Sequence, residues 1–306
     1  MTTLIFGHKS PDTDSTGSPL IWEWFLNHTG IDAKAALLGT PNTEAVFVAK
    51  RWGFTLPEIT QDVENDQPCV IVDTNNPAEL PANINNADVR AIIDHHLLVG
   101  GLTTKNPINI TIRPLACTAT IMHQMMGEHA KKMPEGIKGL VLSCILSDTL
   151  AFRSPTTTPM DKELAEKLAK ELKIDIEKYS SEMFEAKSDV SAFSDAELLR
   201  MDSKEYEVDG KKFRVSVLET TAPKPLLDRK DALVKAMPIV AKEDKVDQVL
   251  LFVVDILKEE ATMLVPNDLT KTVAEKSFDA KVDGDTVVLP GIMSRKKQII
   301  PNLKAS

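Results

Sequence analysis

The sequence predicts an α/β fold: an N-terminal domain with a parallel sheet and helices on both of its faces, followed by a smaller C-terminal α/β domain. Short apolar runs alternate with helical stretches in the first half of the chain, and this alternation is typical of a parallel sheet. Each apolar run ends in polar residues, as a buried strand does at the edge of a sheet. At 306 residues the chain is long enough for two domains with a core each.

Strands and helices are predicted in turn before residue 150. The strands cover residues 4–6, 70–72 and 91–93. Ser18 and Pro19 together are typical of the N-cap and the first position of a helix. Helical spacing also covers residues 118–131 and 137–150, although a buried strand would give a similarly apolar run in the second of these segments. A helix there places Asp148 near its end.

A change in composition marks the predicted domain boundary. The helical pattern gives way to small polar residues near Ser188. We therefore predict an N-terminal domain over residues 1–187, a linker over 188–194 and a second domain over 195–306. Within the second domain, segments 212–218 and 249–256 have strand patterns, segment 226–242 has a helical pattern, and the terminal part is rich in β-forming residues.

The overall charge and the cysteines exclude several classes of protein. Thirty-six basic against forty-five acidic residues give a net charge of −9, which repels polyanions, so nucleic-acid binding is not expected. Three widely spaced cysteines, Cys69, Cys117 and Cys144, indicate reduced core thiols rather than disulfides. The sequence shows neither a targeting segment nor a run of about 18 apolar residues, so we expect a cytoplasmic protein that does not bind membranes.

Residues that can bind a metal follow the first predicted strand. His8, Asp12 and Asp14 lie on a turn that contains Gly7 and Pro11. Open α/β folds bind their ligands at this carboxyl edge of the sheet. An imidazole and two carboxylates at such an edge indicate a metal site, although either aspartate alone could instead cap the next helix.

Similar residues follow the other two N-terminal strands. Asp73 follows one of them, and Asp94, His95 and His96 end the other. Adjacent histidines at a strand end point to opposite sides, so one can bind a metal while the other faces a substrate or donates a proton. Asp148 interrupts an apolar stretch, where a carboxylate needs either a metal ion or a set of internal hydrogen bonds.

A compact basic cluster lies near the C-terminus. It contains Arg295, Lys296 and Lys297, in a chain that is acidic overall. Arginine offers a planar fork and lysine a point charge, a combination that suits phosphate oxygens. Charge runs of this kind are also common on solvated surfaces.

Five motifs together resemble a known family. They are HKSPDTDS at residues 8–15, DTN at 73–75, DHH at 94–96, SDTLAFRSP at 147–155 and SRKKQ at 294–298. Over nearly the whole chain they resemble the DHH phosphoesterase superfamily and, within it, the family II or manganese-dependent inorganic pyrophosphatases. DHH alone indicates only the superfamily, whereas SRKKQ in a second domain of the DHHA2 type narrows the resemblance to the pyrophosphatases.

The resemblance implies a centre with two metal ions. One ion would be bound by His8, Asp12, Asp73 and Asp148, and the other by Asp14, Asp73, His95 and Asp148. By the same resemblance Asp14 and His96 have catalytic roles, and Lys204, Arg295 and Lys296 bind the phosphates of the substrate. The family commonly has DHN where this chain has Asp73-Thr74-Asn75, so metal affinity and proton transfer beside Thr74 are expected to differ.

The implied activity is hydrolysis of pyrophosphate to two orthophosphates. The implied cofactors are two Mn²⁺ or Co²⁺ ions, with additional Mg²⁺ or Mn²⁺ entering with the substrate, and the oxygen and nitrogen donors agree with that choice. Two ions about 3.5–4 Å apart would share a water and convert it to an attacking hydroxide. Because the ligands precede the linker and the cations follow it, we expect a cleft between the domains that closes on pyrophosphate. The resemblance also implies a homodimer formed through the N-terminal domain.

Two other functions stay open at this point. A DHH-family exopolyphosphatase, or a phosphodiesterase of short oligonucleotides or cyclic dinucleotides, would use a similar centre. Against the nucleic-acid version, the sequence lacks an aromatic and basic stacking stripe, and Gly100 and Gly101 are followed by Leu102 rather than completing a GGGH element. A regulatory or binding module with a vestigial site is the third possibility, and the full set of acids, histidines and cations argues against it.

Overall fold

The chain folds into two compact units. The computed structural model describes residues 1–305, except for the side chain of Lys296. The first unit spans Met1–Lys187 and the second spans Ser188–Ser306. Residues 188–194 form turns and bends rather than a helix or strand. Of the helices in the described part of the chain, none combines the length and the apolar character needed to cross a bilayer.

A five-stranded parallel sheet forms the centre of the first unit. Its strands are β1 (Thr3–Phe6), β2 (Ala33–Ala35), β3 (Pro68–Val72), β4 (Asp88–Asp94) and β5 (Asn109–Ile112). The order across the sheet is β2-β1-β3-β4-β5, and every neighbouring pair is parallel. The three strands predicted from the apolar runs are confirmed, and the predicted α/β class with them. Strands β2 and β5 were not predicted, because β2 has only three residues and β5 has four residues of which none is fully buried.

Six α-helices accompany this sheet. They are α1 (Thr13–His28), α2 (Thr43–Arg51), α3 (Thr118–Met126), α4 (Glu135–Asp148), α5 (Pro159–Leu172) and α6 (Ile176–Lys187). The main core packs buried residues of α1, α3 and α4 against Ile5, Val70 and Val72 of the sheet. The opposite face of the sheet packs on the loop residues Leu38, Val63 and Leu80 and on Ile84 in a 3-10 turn at Ile84–Asn86. Another 3-10 turn lies at Pro77–Glu79.

The first helix begins earlier than predicted. Ser18 and Pro19 do not start it: α1 begins at Thr13, and Asp12 is its N-cap, accepting a hydrogen bond from the backbone N of Ser15. Pro19 therefore lies inside the helix. Both Asp12 and Ser18 are good N-cap residues by type. Ser18 is instead buried inside the helix, where its hydroxyl donates to Asp14 one turn earlier.

The other predicted helices of the first unit are confirmed in position and differ at their ends. The segment predicted over 118–131 is α3 followed by a 3-10 helix at Gly127–Lys132. The two meet at Gly127, whose positive φ of 53° ends the regular helix. The segment predicted over 137–150 is helical as α4 and ends at Asp148, at the expected place.

The second unit contains a mixed sheet. Its strands are β6 (Ser203–Val208), β7 (Lys211–Thr220), β8 (Gln248–Asp255), β9 (Glu260–Leu264) and β10 (Thr286–Pro290). Its helices are α7 (Asp195–Met201), α8 (Lys224–Leu227), α9 (Lys230–Glu243), α10 (Asp268–Phe278) and α11 (Ile300–Asn302). The order is β10-β9-β8-β7-β6, with β7 and β8 parallel and the other pairs antiparallel. The predicted strands at 212–218 and 249–256 are confirmed as β7 and β8.

One predicted helix of the second unit is interrupted. Segment 226–242 is not a single helix but α8 and α9, which are separated at Asp228 and Arg229. The guanidinium of Arg229 donates to the carboxylate of Asp195 and to the carbonyl of Val190. These contacts to another part of the unit hold Arg229 at the break, which an apolar pattern cannot show. The terminal β-rich part likewise contains a helix, α10, between β9 and β10.

Candidate metal centre

Three strand ends bring the predicted histidines around one aspartate. His8 follows β1, Asp73 follows β3, and His95 follows β4. One carboxylate oxygen of Asp73 (Oδ2) lies 3.5 Å from Nε2 of His8, and the other (Oδ1) lies 3.3 Å from Nε2 of His95. Asp73 has a positive φ of 58°, which turns the chain away from the sheet directly after the strand. The parallel topology thus places Asp73 at the centre of the cluster.

The first turn of α1 supplies two further carboxylates. Asp12 both caps the helix and approaches the cluster: Oδ1 accepts from the backbone N of Ser15 at 2.9 Å, and Oδ2 lies 3.8 Å from Nε2 of His8. Asp14 is buried, and it accepts hydrogen bonds from the backbone N of Thr118 at 2.6 Å and from the hydroxyl of Ser18 at 2.9 Å. Asp12 therefore caps α1 with one carboxylate oxygen and directs the other toward His8.

The end of α4 completes the set. Asp148 is the last residue of that helix, and its Oδ2 lies 4.0 Å from Nε2 of His95. In three groups of residues, the atoms that could bind a metal ion lie within 4.8 Å of one another. The groups are Asp14 with Cys117 and Asp148, His8 with Asp12 and Asp73, and Asp73 with His95 and His96. The structure thus brings together every metal ligand that the sequence predicted.

The carboxylates of this cluster repel one another. Burial raises the pKa of Asp73 well above its usual range, and the charges of Asp14, Asp12 and Asp94 raise it further. Burial likewise raises the pKa of Asp148, and the charges of Asp14, Asp73 and Asp12 raise it further. The positive charge of Lys187 opposes this shift. Divalent cations would balance this excess of negative charge. The oxygen and imidazole donors and their unbalanced charge therefore fit the implied metal ions.

Hydrogen bonds orient the two histidines differently. Nδ1 of His95 donates to the carbonyl of Leu115 at 3.2 Å, which directs Nε2 toward Asp73. Nδ1 of His96 donates to Asp94 at 2.8 Å, and the side chain of His96 is 52% exposed. His95 thus faces the carboxylate cluster, whereas His96 remains accessible from solvent.

A cleft of about 630 Å³ opens onto the cluster. Its lining includes Asp12, Asp73, His95, His96, Asp148 and Ser154. A small anion would therefore reach the carboxylates and both histidines from the same side.

Comparisons with known proteins agree with this geometry. Residues 2–147 match the model of the DHH family N-terminal domain, and residues 181–306 match that of the DHHA2 domain. The chain is 35% identical over 309 residues to a protein of Methanocaldococcus jannaschii named manganese-dependent inorganic pyrophosphatase, covering 98% of this chain and 97% of that protein. The chain belongs to the family II, manganese-dependent inorganic pyrophosphatases.

Other relatives show the same family and the wider fold. A Lactobacillus acidophilus protein named probable manganese-dependent inorganic pyrophosphatase is 36% identical over 302 residues, covering 98% of this chain and 97% of that protein. The crystal structure of a candidate family II inorganic pyrophosphatase from Methanococcus jannaschii has a TM-score of 0.61 at 34% identity and covers 98% of each chain. An exopolyphosphatase-related protein of Bacteroides fragilis, at a TM-score of 0.52, 12% identity and 98% and 89% coverage, shares the fold.

In this pyrophosphatase chain, the second unit carries the predicted phosphate-binding cations. Lys204 is exposed on β6, and Arg295 starts a single π-helical turn at Arg295–Ile299. Arg295 donates to the carbonyl of Asp202 at 2.7 Å and forms an ion pair of 2.8 Å with its carboxylate. Arg295 is thereby fixed beside the segment that leads to Lys204. The side chain of Lys296 lies outside the described residues.

Thr74, which replaces the histidine common in the pyrophosphatase family, has local hydrogen bonds. Its hydroxyl donates to Oε2 of Glu79 at 2.7 Å and accepts from the backbone N of Asn76 at 3.1 Å. The side chain is buried. The effect of Thr74 on metal affinity stays a prediction.

The sequence predicted no role at the pyrophosphatase centre for three residues that lie there, Asp94, Cys117 and Thr118. Asp94 accepts hydrogen bonds from the backbone of both following residues and from the amide of Asn75. Thr118 donates from its hydroxyl to Asp73 at 3.1 Å. The DHH motif itself contained a signal for Asp94. The sequence contained none for Cys117 and Thr118, whose approach depends on how α3 packs.

Proposed function

We propose that this protein hydrolyses inorganic pyrophosphate to two orthophosphates, using two Mn²⁺ or Co²⁺ ions and additional Mg²⁺ or Mn²⁺ that enters with the substrate. Family membership supports the substrate, since its relatives are named inorganic pyrophosphatases. The observation that carries the proposal is the convergence of Asp73, Asp14 and Asp148 with two histidines beside an open cleft. A cluster of buried carboxylates is costly unless cations neutralise it.

The proposed ligands are those that the sequence predicted. His8, Asp12, Asp73 and Asp148 would hold one ion, and Asp14, Asp73, His95 and Asp148 the other. When bound, divalent ions supply Lewis-acid stabilisation of phosphoryl charge and make a nearby water more acidic. We propose that the carboxylate of Asp14 also acts in catalysis. Hydrogen bonds from the backbone N of Thr118 and from the hydroxyl of Ser18 keep this carboxylate in place.

His96 is the proposed proton donor to the departing phosphate. Its Nδ1 is engaged with Asp94, so Nε2 is the nitrogen left to face a substrate oxygen. The hydrogen bond to Asp94 keeps the ring of His96 in one orientation. Donation from Nε2 to the leaving oxygen would make orthophosphate a better leaving group.

Cations of the second unit bind the substrate in this proposal. Arg295, Lys204 and Lys296 would contact phosphate oxygens and balance the charge that develops on them. Asp202 holds the guanidinium of Arg295 by two contacts, which limits its rotamers before substrate arrives.

We propose further that the protein is a cytoplasmic homodimer formed through the first unit. The dimer is supported by apolar side chains that are exposed after β4 and on the edge strand β5. They are Leu97, Leu98, Val99 and Ile110.

The test is phosphate release from pyrophosphate after chelation and metal add-back. Activity should disappear with a chelator and return with Mn²⁺ or Co²⁺, more fully than with Mg²⁺ alone. Tripolyphosphate and a short oligonucleotide serve as competing substrates in the same buffer. Preference for tripolyphosphate or the oligonucleotide would favour the exopolyphosphatase or phosphodiesterase alternative, and absence of any phosphate release with Mn²⁺ would favour a binding module.

A further inference from the structure

One short segment contacts three of the proposed metal ligands. Between β5 and α3, the carbonyl of Leu115 accepts from Nδ1 of His95 at 3.2 Å. Three residues later, the backbone N of Thr118 donates to Asp14 at 2.6 Å, and its hydroxyl donates to Asp73 at 3.1 Å. The position of segment 115–118 therefore affects the orientation of one histidine and two carboxylates.

The middle of this segment is held by an aspartate from another helix. Oδ2 of Asp161, in the first turn of α5, accepts from the backbone N of Ala116 at 3.1 Å. The same oxygen accepts from the backbone N and the hydroxyl of Thr158, at 3.0 and 2.5 Å. Asp161 is 0% exposed, and Oδ1 has no hydrogen-bond partner among the described residues.

The environment of Asp161 is unusual for a residue that only caps a helix. A buried carboxylate is costly, and no lysine, arginine or histidine of the described chain forms an ion pair with it. Three donors instead converge on one of its oxygens, and one of them belongs to the segment that orients the ligands. Ala116 is itself buried, so its N–H would lose its partner without Asp161.

We propose that Asp161 is a positioning residue for the metal centre, acting through segment 115–118. This inference rests on the proposed metal binding but not on the identity of the substrate. A carbonyl only accepts hydrogen bonds, so the contact with Leu115 keeps the proton of a neutral His95 on Nδ1 and leaves the lone pair of Nε2 toward Asp73. Release of Ala116 lets Leu115 move and loosens that orientation.

Three variants separate positioning from helix capping. Asp161→Leu is close in size and accepts no hydrogen bond. Asp161→Asn keeps an oxygen that can accept the hydrogen bonds now made to Oδ2. Its NH₂ group would take the position of Oδ1, which has no hydrogen-bond partner among the described residues. Thr158→Ala is the matched control, because it removes the hydroxyl of the α5 cap but leaves the contact between Asp161 and Ala116.

The measurement is Mn²⁺ affinity, followed by electron paramagnetic resonance of free Mn²⁺ in competition with a chelator. Asp161→Leu should bind Mn²⁺ about 10–100-fold more weakly than the wild type, the range found when a group that orients a ligand is removed. Asp161→Asn and Thr158→Ala should stay within about threefold of the wild type. If the leucine variant does not fold, Asp161→Ser, which is too short to reach Ala116, should show the same weakening.

A second readout follows His95 directly. In ¹⁵N-histidine NMR, the Nδ1–H signal of His95 should be present in the wild type and in Thr158→Ala, and lost or exchange-broadened in Asp161→Leu or Asp161→Ser. Wild-type affinity in both Asp161→Leu and Asp161→Ser would overturn the inference, as would equal weakening in Thr158→Ala. A wild-type protein that binds no Mn²⁺ would overturn the proposed function as well, whereas normal Mn²⁺ binding without pyrophosphate hydrolysis would overturn only the proposed substrate.

Discussion

Nδ1 of His96 lies 2.8 Å from Oδ1 of Asp94, and because a carboxylate only accepts hydrogen bonds, the imidazole carries a proton on this nitrogen. The preceding residue, His95, directs its Nε2 instead toward Asp73 at 3.3 Å. Neighbouring histidines with different partners are suited to different tasks.

His96→Gln should lower kcat while His95→Gln lowers Mn²⁺ affinity. Loss of a general acid costs roughly 10²–10⁴-fold in rate, so kcat of His96→Gln should fall in that range with Mn²⁺ affinity within about threefold. His95→Gln removes a proposed ligand and should weaken Mn²⁺ binding by at least about tenfold. Steady-state kinetics and a Mn²⁺ titration measure the two effects. Equal loss of Mn²⁺ in both variants would make His96 a ligand rather than a proton donor.

Arg295→Ala should impair substrate binding and turnover but leave Mn²⁺ binding intact. The guanidinium is proposed to contact phosphate, and all proposed metal ligands lie in the first unit. We expect kcat/KM for pyrophosphate to fall by roughly 10²–10³-fold, as for loss of one charge-stabilising donor. Lys297→Ala is the matched control, since Lys297 is exposed in the same basic cluster. A parallel loss of Mn²⁺ affinity in Arg295→Ala would contradict the assignment.

Asp148→Asn should reduce metal occupancy and catalysis together. The amide keeps the size of the side chain but removes a charge that two ions are proposed to share. Mn²⁺ bound per chain after gel filtration should fall, and phosphate release should fall by at least about 10²-fold. Glu135→Gln, at the exposed start of the same helix, is the control. Full occupancy with lost activity would instead assign Asp148 a role in the chemistry alone.

Glu44 gives a prediction about stability and pH. Its carboxylate is fully buried in the first turn of α2, with Nζ of Lys187 3.2 Å from Oε2. Burial raises the pKa of Glu44; Lys187 and the hydroxyl of Ser147 oppose this shift, and the charge of Asp12 adds to it. Between the ordinary and the raised pKa the native state binds more protons than the unfolded state, so stability falls as pH rises through this window.

The free energy of unfolding of wild type minus that of Glu44→Gln should therefore decrease as pH rises above the ordinary range of glutamate. Thermal or urea unfolding with a chelator present, at several pH values from about 4 to 8, measures this difference. Glu58→Gln is the control of opposite sign: the hydrogen bond from Lys34 lowers the pKa of the exposed Glu58, so its difference should rise with pH up to the ordinary range of glutamate and stay level above it. A wild-type advantage over Glu44→Gln that grows with pH would contradict the prediction.

Much of the centre could be predicted because its residues follow the ends of parallel strands. The carboxyl ends of the strands share one edge of the sheet, so His8, Asp73 and His95 were expected at that edge, and the order β1-β3-β4 makes them neighbours there. The apolar runs that predicted these strands are buried except for Leu4 and Ala91, which are partly exposed, and this burial makes their signal strong. Asp12 illustrates the limit, because its type suited both a cap and a ligand, and only the structure shows that one of its oxygens caps α1 while the other lies 3.8 Å from Nε2 of His8.

The sequence by itself determined the α/β class, the three central strands, the chemical types of the metal ligands and the family. Only the tertiary structure decided that α1 begins at Thr13, that Arg229 interrupts a helix, and that Asp161 holds the segment beside His95. The start of α1 was missed because Asp12 and Ser18 both suit an N-cap by type. For Arg229 and Asp161 the physical reason is distance along the chain: periodicity reports burial within a few residues, whereas Arg229 reaches Asp195 across 34 residues and Asp161 reaches Ala116 across 45. Such contacts depend on how helices pack against the sheet, and no local pattern specifies that packing.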